Sequence, residues 1–187
     1  MNDFIKQANL ISPLSAEVKS DLLNLLNEKD IKKGEMVNRK GKISRRLYFV
    51  KHGLLKHYYY HNGNQCILRF FCDNRFVTIS DSFLRNLPAD YSTIALEDTA
   101  LLYLEYEDIE NLCDKHHSFE RFIRIIISNM AIMSIERLKT MLHSNATERY
   151  KNFIAEYGHL QQRISLGDTA SFLGMSQVSL SRLRSRK

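Results

Sequence analysis

The sequence predicts an α+β chain in three parts: short strands flanked by helices, one long helix, and a small helical domain ending in a helix-turn-helix. Three observations carry this. From Ile31 to about Leu104 the chain reads as aromatic and β-branched runs broken by glycines and Asn/Asp turns. From Ser118 to about Ser144 no Pro or Gly interrupts a helical apolar stripe. Near the end, Ala170, Gly174, Leu180 and Leu183 stand at the spacing of two helices joined by a tight turn.

The elements follow in order. Ser15, behind Pro13, opens a helix through about Asn27, with Val18, Leu22, Leu23, Leu25 and Leu26 as its apolar side. Leu47–Val50, Leu54–Tyr60 and Cys66–Phe71 are the clearest strands. Asn62-Gly63 between the last two predicts a hairpin, because a type I′ turn needs positive φ at both central residues. Gly34, Gly41 and Gly53 punctuate the rest, and Ile94–Leu96 and Ala100–Leu104 close the strand-rich part. Such spacing suggests a sandwich or barrel rather than βαβ units.

Glu107–Cys113 reads as a short helix, and Ser118 as the cap of the long one. Phe119, Ile123, Ile126, Met130 and Met133 follow 4-3-4-3 spacing, and Ile127, Leu138, Met141 and Leu142 widen the stripe. About 25 residues span roughly 37 Å. This seam suits a dimer helix pairing with its twin; a core helix lying on its own chain is the other reading. Thr147–Tyr157 is a further helix, ended by Gly158. Asp168 begins the first helix of the helix-turn-helix, with Ala170, Phe172 and Leu173 apolar. Gly174 makes the turn, and Ser176 caps a second helix that carries Val178, Leu180 and Leu183 inward. That helix exposes Gln177, Ser179, Ser181 and Arg182. Gln suits adenine edges, Arg suits guanine, and Ser suits a base or a phosphate.

Composition bounds the function. The chain has 187 residues, with 44% hydrophobic and 26% charged, which excludes a mainly disordered protein. No apolar run reaches the roughly 18 residues of a membrane span, and Met1–Leu10 has no signal-peptide pattern. Three widely spaced cysteines argue against a disulfide framework and for a reducing cytoplasm. The net charge of +6 is segregated: residues 1–60 hold 12 basic and 6 acidic groups, and residues 61–118 hold 4 and 10. Residues 119–143 carry +2 and residues 144–187 carry +4. Arg182, Arg184, Arg186 and Lys187 end the chain without an acid among the last twelve residues, an electrostatic footprint for phosphate.

Taken in sequence order, Ile31-Lys-Lys-Gly-Glu35, Gly41, Leu47-Tyr-Phe-Val-Lys-His-Gly53, Asn62-Gly63, Ala170-Ser-Phe-Leu-Gly-Met175 and Leu180-Ser-Arg182 resemble the Crp/Fnr family of bacterial transcription regulators over nearly the full length. The ending Leu180-Ser-Arg-Leu-Arg184 is similar to the short form common in Bacteroidetes-type bacteria. The resemblance implies a jelly roll (a double-stranded β-helix of the cyclic-nucleotide-binding type) as a sensor over residues 1–117. It implies a dimerisation helix over 118–144 and a DNA-binding domain over 145–187. The partners implied are double-stranded DNA, a second copy of the chain, a small-molecule effector and RNA polymerase. Ser176, Gln177, Ser179, Ser181, Arg182, Arg184, Arg186 and Lys187 are the candidate DNA contacts.

The departures concern the ligand. Cyclic-nucleotide-responsive members carry Gly-Glu and, about ten residues on, Arg-Ser. Here the matching residues are Ser80-Asp81 and Tyr91-Ser92. Tyr91 stands where the arginine would neutralise a cyclic phosphate, and a buried phosphate without its cation is costly. The chain is therefore expected not to respond to cyclic AMP. Ser80, Asp81, Arg85, Tyr91, Ser92 and Thr93 mark the candidate effector pocket, with Arg85 a substitute cation. No N-terminal cysteine cluster is present for iron–sulfur; Cys66, Cys72 and Cys113 read as buried small apolar residues. His52, His57 and His61 need not share a strand face, and His116-His117 reads as a solvated turn. No metal or cofactor is expected. Only Ser185, Arg186 and Lys187 follow Arg184, too few for the family's β-hairpin wing: either the short form or a truncated gene. Two other functions compete. One is a ligand- or protein-binding roll whose DNA end has decayed. The other is a cupin-type enzyme, which the absence of His-x-His, a phosphate loop and a nucleophile elbow disfavours.

Overall fold

The computed structural model describes residues 2–185, without the side chains of Asn2, Ser80 and Asp81. Two helices, α1 (Asn2–Ile11) and α2 (Ala16–Leu25), precede eight strands. These are β1 (Asn27–Ile31), β2 (Met36–Asn38), β3 (Arg46–His52), β4 (Leu55–His61), β5 (Asn64–Phe71), β6 (Arg75–Val77), β7 (Ser92–Ala95) and β8 (Thr99–Glu105), with the short α3 (Ser80–Arg85) between β6 and β7. Five helices follow: α4 (Tyr106–Lys115), α5 (His117–His143), α6 (Ala146–Tyr157), α7 (Leu166–Leu173) and α8 (Gln177–Ser185). The strands form two four-stranded sheets, ordered β1-β8-β3-β6 and β2-β7-β4-β5. Residues cluster into two compact units, 1–57 with 70–130, and 58–69 with 131–187. The 4-3-4-3 helix and the hairpin tip thus both contribute to the second unit.

In the first unit β3 is buried on both faces, which explains its unbroken apolar run. Tyr48 and Val50 point into the roll with Ile31, Leu55, Val77, Ala95 and Leu101. Leu47 and Phe49 point outward with Leu102 and Leu104 of β8 and join a second core built from helices. There Phe4, Phe49, Phe76, Phe119 and Phe122 form an edge-to-face and tilted ring cluster, with centroids 5.0–6.3 Å apart.

That core changes several sequence expectations. Phe119 and Ile126 are buried in the chain's own core, with Ile123 and Met130 packed against it, so these four are not a free dimer seam. The large apolar side chains left exposed on α5 are Ile132, Ile135, Leu138, Met141 and Leu142. Ser118 does not cap α5: its hydroxyl accepts the Ser15 N–H. His116 is no solvated turn, since its Nε2 is 2.9 Å from Asp21, which also takes Lys115 at 2.7 Å. These two partners hold the Asp21 carboxyl below its ordinary pKa. The second helix stops at Leu25, and Asn27 opens β1, because its residues pair with β8 from Tyr103 to Thr99. Helices α1 and α3 were not expected. The three cysteines are half-buried rather than buried, and burial with nearby Glu110 pushes the Cys113 thiol up to about 11.

Two turns need their residues. Asn62 and Gly63 both have positive φ, as the hairpin pattern required. Gly53, at φ +118°, passes so close to β8 that a Cβ there would lie 2.3 Å from Thr99 Oγ1. Its N–H donates to Asp73 Oδ1 at 2.7 Å. No helix among the described residues is long and apolar enough to cross a membrane. Gly53→Ala combines a backbone clash with an unfavourable φ, so we expect a loss of about 2 kcal/mol or more, read by urea denaturation.

Candidate nucleic-acid interface

The second unit builds its helix-turn-helix from short local signals. Ser165, not Asp168, is the N-cap of α7, accepting the Asp168 N–H at 3.0 Å. Gly174 ends α7 in the left-handed region at φ +63°. The Gly174 N–H reaches the Ser171 C=O, and the Met175 N–H reaches the Ala170 C=O, the paired closure that a left-handed glycine permits. Ser176 then caps α8 as expected, accepting the Ser179 N–H at 3.1 Å. The hydroxyls of Ser176 and Ser179 also share a bond of 2.9 Å.

Packing fixes which face of α8 looks out. Leu180 is fully buried, as are Ala170 and Leu173 of α7, whereas Val178 is 61% exposed rather than inward. Helical spacing puts Val178 with Arg182 and Ser185, and Gln177 with Ser181, all exposed. Leu183 and Arg184 are half-buried. The Gln177 amide lies over Gly167, where a Cβ would sit only 3.1 Å from its Nε2. Arg186 and Lys187 lie outside the described residues.

The unit's own core is aromatic: Phe153, Tyr157 and Phe172 lie 5.5–5.7 Å apart. Two arginines secure the C-terminal end of α7. Arg137 stacks on the Phe172 ring at 3.8 Å and donates to the Phe172 C=O. Arg149 donates to the Leu173 C=O at 2.9 Å and the Ser144 C=O at 2.8 Å. Cations at a helix C-terminus satisfy its orphan carbonyls and oppose its dipole. Burial pulls the Arg137 pKa below its ordinary value, yet a guanidinium stays charged. Arg69 of the hairpin donates to the Met133 C=O, and Ser171 donates to the Gln65 C=O.

The candidate effector pocket comes together only in part. The Ser80 and Asp81 side chains lie outside the described residues, and Arg85 is exposed at the end of α3. Tyr91 and Thr93 do converge, both on His57, whereas Ser92 does not join them. The Thr93 hydroxyl bonds His57 Nδ1 at 2.8 Å, and the Tyr91 and Phe71 rings lie 4.8 and 4.5 Å from the His57 ring. Ser92 accepts the Lys40 N–H. His57 is buried, while His52 and His61 are exposed. Strand parity held the signal for His57, because an inward Leu55 places residue 57 inside as well. Nothing local marked Arg137 or Arg149, whose partners are 35 and 24 residues away.

Residues 28–116 match the family described as the cyclic nucleotide-binding domain. No curated protein matches the chain in sequence. FixK2 from Bradyrhizobium japonicum shares the fold with a TM-score of 0.77 at 17% identity, over 87% of this chain and 84% of that one. The c-di-GMP-responsive global regulator CLP of Xanthomonas campestris gives 0.72 at 16%, over 92% and 91%. A protein from Eubacterium rectale, described as a transcriptional regulator of the Crp/Fnr family, gives 0.73 at 17%, over 92% and 83%. The likeness at such identities is one of fold.

Leu180→Ala should cost about 2–4 kcal/mol through the cavity it leaves, while Val178→Ala should stay within about 0.5 kcal/mol. Thermal melts of the two variants check this; equal losses would mean Val178 is packed.

Proposed function

We propose that the chain is a homodimeric, sequence-specific DNA-binding transcription regulator of the Crp/Fnr type, without enzymatic activity, working in the cytoplasm. The sensor roll is 1–117, the dimer helix 118–144 and the DNA-binding domain 145–187. One observation carries the reading: α8 leaves the turn capped at Ser176 and presents Gln177, Val178, Ser181 and Arg182 on one exposed face with no carboxylate in the helix.

That helix enters the major groove. Arg182 reads guanine, Gln177 reads adenine after lifting from Gly167, and Val178 meets a thymine methyl. Ser181 contacts either a base or a phosphate. Phosphates are held by Ser179, Arg184, Arg186, Lys187 and the amides of the Ser176-capped helix start. A palindromic operator with half-sites about 34 Å apart follows from two-fold symmetry. The exposed Ile132, Ile135, Leu138 and Leu142 form the dimer seam, in place of Phe119 and Ile126; Met133 flanks it half-buried. RNA polymerase is the further protein partner.

Two features of the roll support independence from cyclic AMP. Tyr91 occupies the arginine position, and its ring packs on His57 with Phe71 behind. A phosphate there would meet aromatic faces and an imidazole instead of a guanidinium. An effector of another chemistry remains part of the reading.

Selection from randomised duplexes should yield a palindrome that binds at least about 10³-fold more tightly than bulk DNA. Arg182→Ala should lose roughly 10–100-fold on that site and little on random DNA. A wild-type chain with no preference would instead identify a ligand-binding module with a degenerate DNA end. Ile135→Glu should convert the dimer to a monomer in light scattering. Cyclic AMP should release no saturable heat in calorimetry; micromolar binding would overturn that part.

A further inference from the structure

Outside the roll interior, the first unit carries a cleft of about 490 Å³ between β2, the segment 42–45 and the start of β3. Arg39, Lys42, Arg45 and Arg46 line it, against the single carboxylate of Glu105. That carboxylate is already engaged: Arg46 reaches Glu105 Oε1 at 2.8 Å through both Nε and a terminal nitrogen. Among the described residues, no carboxylate lies within ion-pair distance of Arg39, Lys42 or Arg45. The buried Nε of Arg45 has no hydrogen-bond partner. A buried guanidinium N–H is costly to leave unsatisfied.

Two of the four cations are held by aromatic rings, while Arg39 and Lys42 are exposed at the cleft edge. Arg45 stacks on the Tyr106 ring at 3.4 Å, and Arg46 lies over Tyr103 at 4.9 Å. The backbone beneath them is clamped at three points. The Gly41 N–H donates to the Ala89 C=O at 2.7 Å, the Ala89 N–H to the Lys42 C=O at 3.0 Å, and the Ser44 N–H to Ser82 Oγ at 2.9 Å. Hydroxyls of Ser44 and Tyr48, 3.5 Å apart, add neutral polar groups. One ring-held cation with two exposed cations on a clamped segment, in a concave site of small-molecule size, favours a compact ligand of high negative charge.

We infer that this cleft is a binding site for a compact polyanion, a phosphorylated or multiply carboxylated small molecule, held by Arg39, Lys42 and Arg45. It adjoins the His57–Tyr91 interior through Asn38, which lines the cleft and donates to the Tyr91 C=O at 3.4 Å, and it is independent of the DNA-binding reading. Its position also gives it a route to the roll. The clamping strand of backbone runs from Ala89 to Ser92, which accepts the Lys40 N–H, and on to Thr93 against His57.

The test is calorimetric titration of the full chain, without DNA, using pyrophosphate and citrate in separate arms. The expected result is saturable binding of at least one, with one ion per chain. Pyrophosphate alone would assign the phosphorylated class, and citrate alone the carboxylated class. The double variant Arg39→Gln with Lys42→Gln changes only exposed side chains, so it should fold as wild type by circular dichroism and weaken binding by about tenfold or more. Arg45→Gln should weaken it further. Absence of saturable binding by either ion overturns the inference. So does binding that the double variant leaves unchanged, which would place the anion elsewhere, for example at the basic α8 end.

Discussion

Phe122 decides what the long helix is available for. Its ring sits among Phe4, Phe76 and Phe119, and each fully buried phenylalanine stabilises by roughly 1.5–3 kcal/mol. This fixes the first half of α5 against the outward residues of β3 and β8. The apolar side chains of that half are then no longer free to pair with anything else. What remains is the second half, where Ile132, Ile135, Leu138 and Leu142 stay exposed. One amphipathic helix is therefore buried along its first half and exposes its apolar stripe along its second. The stripe that looks continuous in sequence changes from buried to exposed near Met130.

The C-terminal unit solves a different problem. A helix-turn-helix is too small to bury much, so its orientation depends on polar closure of the helix ends. Gly174 closes α7 locally, and Arg137 and Arg149 close it from other helices. The result is a firmly held α7 against which Leu180 anchors α8. The outward face of α8 is then left with Val178, Ser181 and Arg182 exposed.

Charge in the first unit stands apart from the roll interior. The interior near Tyr91 is aromatic, with the Tyr91 and Phe71 rings against His57 and the Thr93 hydroxyl bonded to its Nδ1. The cations stand at the rim instead, in Arg39, Lys42 and Arg45. An anionic effector fits the rim better than the interior.

Much of the architecture was legible before any coordinates. Strand runs, the Asn62-Gly63 hairpin, the Gly174 turn and the Ser176 cap are local, because each depends on dihedral preferences or on hydrogen bonds within a few residues. The order of these landmarks also pointed to the roll and the helix-turn-helix. Periodicity could not tell Phe119 from Leu138, since both fit one helical stripe and only the neighbouring sheet distinguishes them. It placed Val178 inside for the same reason. Asp21 with His116, Arg137 with Phe172, and the Arg39–Arg45 cleft join residues far apart in sequence or depend on how a loop is clamped. By itself the sequence determined which elements form and where they turn. The tertiary structure alone decided which face of each element is buried and which charges meet, because burial and pairing are properties of neighbours in space.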